Sequence, residues 1–219
     1  MATIVGPTEA PITPLPVDEH VLLRGISWDT YQSILHEIEG NRRLYLTYDE
    51  GDLEIMSPSP RHESAKKLLG RMVEAYTEEL GIPIRSLGST TFAHPFMKKG
   101  LEPDECYYLA HELQIRGKVE LKLGEDPPPD LAIEVDVTRR VLKRFAIYSA
   151  LGFPEIWQYV RGDIKVHTLD LNGVYVVGDT SKCLPALPLA KLPDFIRIGN
   201  DSDETTWIRG FRAWVRTLG

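Results

Sequence analysis

Pro129-Asp130-Leu131-Ala132-Ile133-Glu134-Val135-Asp136-Val137 decides how this chain is read. It is patterned as a β-strand, in which successive side chains alternate between faces. Leu131, Ile133, Val135 and Val137 fall on one face; Asp130, Ala132, Glu134 and Asp136 fall on the other. Three acids on one face repel when ionised, so they need solvent, a proton, a basic partner or a hard cation held by oxygen ligands. The chemistry of the protein is expected here.

Upstream lie two more strand-like segments, Ile84 to Phe92 and Leu101 to Leu109, and the second carries another Pro-Asp pair, Pro103-Asp104. Pairing of that segment with the acidic strand would bring Asp104 near Glu134, because strands lie about 4.8 Å apart. Before them, Ala65, Leu68, Leu69, Met72, Val73, Tyr76 and Leu80 form a helical stripe between the Ser57-Pro58-Ser59-Pro60 breaker and Gly81. His62 falls near the edge of that stripe and Glu63 well away from it, so His62 is the helix's candidate for a site. Earlier still, residues 44–48 and 52–56 read as a hairpin about Glu50-Gly51.

Downstream, Thr138 is placed to cap a helix carrying Val141, Leu142, Phe145, Ala146 and Tyr148, ended by Gly152. A strand from Glu155 to Val160, a hairpin turning at Asn172-Gly173 and a last helix from Trp207 to Leu218 follow. On that helix Arg209, Arg212 and Arg216 share one face, a candidate contact for phosphate. Helix, three strands, helix, strand suits an α/β or α+β sandwich rather than a doubly wound sheet.

With 219 residues, 42% of them hydrophobic, the chain can bury one substantial core. The expectation is one domain, residues 23–219, behind an extended arm, residues 1–22, that contains Pro7, Pro11, Pro14 and Pro16. A net charge of -7 argues against a nucleic-acid coat and leaves room for a local basic groove. Cys106 and Cys183 are too few and too far apart for a zinc site or a disulfide framework. Neither an export signal nor an apolar run of spanning length is seen, so the expected location is cytoplasmic, without membrane contact.

Glu102-Pro103-Asp104, Pro129 to Val135, and Tyr148 to Trp157, in that order, resemble the Uma-two group of endonucleases within the PD-(D/E)XK nuclease superfamily. The resemblance runs from about Ile26 to the C-terminus. It implies a restriction-endonuclease-like core, a mixed central sheet flanked by helices, that binds Mg²⁺, or Mn²⁺ in its place, and cuts DNA. Asp104 and Glu134 then match the metal ligands, and Asp130 matches an aspartate able to orient Glu134 or hold a water. The superfamily lysine two residues after the acid is Asp136 here. The family's lysine on the next helix, four residues before the tyrosine, is replaced here by Arg144, with Lys143 beside it; arginine can stabilise phosphate charge but cannot act as a base. A homodimer is expected from the two cuts that duplex DNA requires. The competing expectations are a nuclease-like fold that binds nucleic acid or protein without cutting, and a metal-free interaction module.

Overall fold

The computed structural model describes residues 17–38, 44–137 and 141–218. In chain order the elements are β1 (Glu19–Leu23), α1 (Trp28–Ile38), β2 (Tyr45–Asp49), β3 (Asp52–Ser57), α2 (Pro60–Glu79), β4 (Arg85–Ser86), β5 (Phe92–His94), β6 (Lys99–Leu101), β7 (Glu105–Tyr108), α3 (Glu112–Ile115), β8 (Leu131–Asp136), α4 (Arg144–Ala150), β9 (Glu155–Val160), β10 (Asp163–Leu169), β11 (Tyr175–Gly178), α5 (Leu192–Asp201) and α6 (Glu204–Val215).

The strands form two sheets. One has the order β11-β10-β9-β8-β7-β4 and the other β1-β3-β2-β6-β5. The first is mixed: β8 and β9 run parallel, joined through α4, and the remaining neighbours are antiparallel. The acidic strand behaves as its alternation predicts. Leu131, Ile133 and Val135 pack with α2, α5 and α6, while Ala132 packs on the other face with Ile147 and Tyr148 of α4. Glu134 shares that second face.

The segment from Leu101 to Leu109 is not one strand but two, β6 in one sheet and β7 in the other. Proline has no N–H for a ladder, and Pro103 interrupts the pairing. Asp104 therefore stands at the crossing point between sheets, not mid-strand, and its own N–H donates to the Ile133 carbonyl at 3.1 Å. Ile84 to Phe92 likewise divides into β4 and β5. Of the expected N-terminal arm, residues 1–16 lie outside the described residues, and Glu19–Leu23 pairs along β3 from Ser57 to Leu53. Alternating exposure along β1 fits this half-buried edge.

The stripe helix is α2, with Ser59 as its cap: Ser59 Oγ accepts the His62 N–H at 3.3 Å. Thr138 lies outside the described residues, and the helix it was expected to cap begins at Arg144, with Lys143 at the N-cap position. Helix α5, not anticipated from the sequence, packs Leu192 and Ile196 into the core shared by α2 and α6. Among the described residues, no helix is long and apolar enough to cross a membrane.

Candidate active site

The site is assembled where the two sheets meet. His62, in the first turn of α2, is fully buried between two acids: Nε2 lies 2.9 Å from Asp104 Oδ1 and Nδ1 3.2 Å from Asp18 Oδ2. Burial disfavours its charged form, but Asp104 and Asp18 outweigh burial and raise its pKa to about 9. At neutral pH the imidazolium donates from both nitrogens. Asp18 is anchored by the Ser59 N–H at 2.8 Å, and Asp104 Oδ2 accepts the Val135 N–H at 2.7 Å. That bond fixes Asp104 against the backbone directly after Glu134.

Glu134 is buried and faces Arg144, also buried. Arg144 donates through Nη2 to Glu134 Oε1 at 2.5 Å and through Nε to Oε2 at 3.1 Å. Its remaining bonds go to the Glu102 carbonyl at 2.6 Å, to Thr47 Oγ1 on β2, and to the Tyr148 hydroxyl at 3.3 Å. The Tyr148 hydroxyl itself donates to Glu134 Oε1. Burial works against the guanidinium's charge, yet Glu134 and Tyr148 hold its pKa above the usual arginine value; burial and Glu134 both push the Tyr148 phenol up. Arg144 is thus a permanent cation and Tyr148 a neutral donor.

These groups border a cavity of about 990 Å³ lined by Glu134, Arg144 and Tyr148, and further out by Lys143, Arg161 and Lys165. Asp136, on the same wall, accepts from Gln158 Nε2 at 2.5 Å.

The structure thus brings together Asp104, Glu134, Arg144 and His62. Lys143 is exposed outside the first turn of α4, at the cavity's edge. Asp130 is not brought to the site. Its Oδ2 accepts the Leu109 and His111 N–H groups at 2.7 and 3.0 Å, and its Oδ1 lies 2.5 Å from His111 Nδ1. Four residues of strand, about 13 Å, separate it from Glu134, so it clamps the turn after β7. Nor are the α6 arginines brought there. Arg212 pairs with Glu78 at 2.5 Å and Glu79 at 2.9 Å, and Arg216 with Glu79 at 2.7 Å, on the α2 side of the sheet. Sequence reasoning missed Asp18 and Thr47; Tyr148 is buried, as its apolar helical position implies, with its hydroxyl on Glu134.

Residues 28–196 match the model of a family described as "Uma2: Putative restriction endonuclease". The chain belongs to the Uma2 family. No curated protein matches it. Among solved structures, it is similar to a "putative nuclease belonging to DUF820 from Anabaena variabilis ATCC 29413", at 14% identity and a TM-score of 0.46, over 74% of this chain and 90% of that one. The match to the Uma2 family runs from the start of α1 into the first half of α5 and so takes in Asp104, Glu134, Arg144 and Tyr148.

Whether these residues suit a divalent cation is a question of donor chemistry. Among the described residues, no three His, Cys, Asp or Glu side chains gather as a metal cage. Asp104 and Glu134 remain, two carboxylates linked through the Val135 amide. Mg²⁺ takes one or two protein carboxylates and completes its octahedron with water and phosphate oxygens, so this pair fits it. A cation at Glu134 competes with Arg144, which holds both Oε atoms.

Proposed function

We propose that this Uma2 nuclease is an endodeoxyribonuclease that hydrolyses DNA phosphodiester bonds with Mg²⁺, or Mn²⁺, held by Asp104 and Glu134. The observation that carries the reading is the junction itself: buried Asp104, at the crossing from β6 to β7, is tied by its bond to the Val135 N–H to the residue after buried Glu134, which lines a cavity with a buried arginine. In the reaction a water oxygen bonds to phosphorus, the bond from phosphorus to one ester oxygen breaks, the water proton is lost and the leaving oxygen is protonated. A divalent cation bound there supplies positive charge to the phosphate and lowers the pKa of water. The remaining work falls to the chain. His62 keeps Asp104 ionised and aimed. Arg144 keeps its charge whatever its partner, so on exchanging Glu134 for a phosphate oxygen it stabilises charge that develops in the transition state. Tyr148 can follow with its hydroxyl.

A second reading is favoured by one observation: Glu134 is already neutralised by Arg144 and Tyr148. In that reading the fold binds nucleic acid or protein without cutting. Incubating supercoiled plasmid and linear duplex with the protein in Mg²⁺, Mn²⁺ or EDTA separates the two. Nicked and linear products with either cation and none in EDTA are expected. DNA binding without products would support the second reading, and neither binding nor products would overturn both for DNA. A homodimer is part of the proposal for double-strand cutting, and sedimentation of the active species tests it.

A further inference from the structure

Two hairpins in this molecule turn through two residues with positive φ, the geometry for which Asn, Asp or Gly is the usual first residue. In the β2–β3 hairpin the first residue is Glu50, at φ 50°, and its carboxylate is 3.0 Å from Lys99 Nζ. In the β9–β10 hairpin it is Arg161, at φ 54°, followed by Gly162 at φ 82°. A left-handed conformation is costly for a residue with a long side chain. Glu50 offsets that cost with an ion pair. Arg161 forms none among the described residues and lines the cavity over Glu134.

Two more exposed cations line the same cavity: Lys143, before α4, and Lys165, on β10. Neither forms an ion pair among the described residues. Two acids besides Glu134 line this wall and carry formal negative charge, Asp136 bonded to Gln158 and Asp163 to the Ile164 N–H at 3.0 Å, but neither forms an ion pair with these cations. On α6, by contrast, Arg212 and Arg216 are held by Glu78 and Glu79. Against a net charge of -7, such a group of unengaged cations is where a polyanion would be drawn.

We propose that Lys143, Arg161 and Lys165 form the rim that receives the phosphate backbone of duplex DNA and lays one strand over Glu134. The inference rests on the nuclease reading above and adds the surface through which substrate arrives. Phosphate contacts position a duplex without reading its sequence, so the rim sets register over the site and leaves base preference to other groups. Arg161 lines the cavity from a turn position where asparagine would suit the backbone better.

The test is fluorescence anisotropy of a labelled duplex in EDTA, so that cutting does not intervene, over a series of salt concentrations. Arg161→Asn and Arg161→Gly suit the turn, so each is expected to melt at or above the wild-type temperature while binding several-fold more weakly. Adding Lys143→Ala and Lys165→Ala is expected to flatten the slope of log affinity against log salt by about 0.9 for each lost contact. Arg209→Ala, Arg212→Ala and Arg216→Ala together are expected to leave affinity and slope unchanged. If wild type binds and cuts DNA but the rim variants bind with unchanged affinity and slope, the rim inference fails alone. If the α6 variant loses binding while the rim variants do not, the contact face lies on α6. A wild type that neither binds nor cuts removes the nuclease reading and the rim with it.

Discussion

Asp130 and Glu134 belong to the same run of sequence, on the same face, and are both buried, yet they do different work. Asp130 receives two backbone N–H groups and a histidine. Glu54 and Glu155 are alike in this: Glu54 receives the Val141 and Leu142 N–H groups at 3.0 Å each, and Glu155 those of Lys182 and Cys183 at 2.6 and 3.3 Å. Glu134 is held by the side chains of Arg144 and Tyr148. A backbone donor moves only if the chain refolds, whereas a side chain can change rotamer and partner. Asp130, Glu54 and Glu155, each clamped by two backbone amides, are architecture; a buried acid held by an arginine beside a cavity can exchange its partner for a ligand.

The contrast can be broken in several ways. The largest effect is expected from Asp104→Ala, which should lower DNA cleavage by at least about 10²-fold, the scale for loss of one electrostatic stabiliser. It should also remove the rise in melting temperature that millimolar Mg²⁺ gives the wild type through linkage. A retained cation response would take Asp104 out of the metal site. Next comes Arg144→Ala, which leaves Glu134 buried without its cation and should cost about 3–5 kcal/mol. Millimolar Mg²⁺ should restore more stability to this variant than to the wild type, because the ion no longer competes with a guanidinium. An equal or smaller shift would show that Arg144 and the cation do not share Glu134. Arg144→Lys keeps the charge but gives up the two-pronged bond to Glu134 and the contacts to Thr47 and Glu102, so it should cut more slowly than wild type.

A smaller effect is expected from pH. His62 is held at about 9, above its ordinary 6.5. Its bonds to Asp18 and Asp104 therefore stabilise the fold fully below about pH 6.5, and that contribution is lost as pH rises through 9. The melting temperature of the metal-free protein should fall across this interval, and His62→Gln should flatten the fall. An equal fall in the variant would assign the loss to other groups.

Local pattern carried much of this to the sequence reader. Alternation placed Leu131, Ile133 and Val135 in the core and Glu134 opposite; the apolar stripe gave α2, and Asn172-Gly173 gave the last hairpin. What escaped depends on contacts between distant segments. Asp18 reaches His62 across 44 residues, and Arg212 reaches Glu78 across 134; no spacing rule reports such pairs. Pro103 could be seen, but not that the chain would change sheets there. Tyr148 sits at an apolar helical position and is indeed buried; only its hydroxyl, which donates to Glu134, departs from that apolar pattern.

The most direct measurement sets the two acids side by side, with plasmid cleavage in Mg²⁺ and thermal melting followed for Glu134→Gln and Asp130→Asn. Glu134→Gln should lose cleavage by at least about 10²-fold. Asp130→Asn should cut within a few-fold of wild type yet lose about 1.5–3 kcal/mol of stability, the worth of hydrogen bonds to a charged group. Wild-type cleavage in Glu134→Gln, or loss of cleavage in a folded Asp130→Asn, would place the chemistry at the wrong end of the strand and contradict the account.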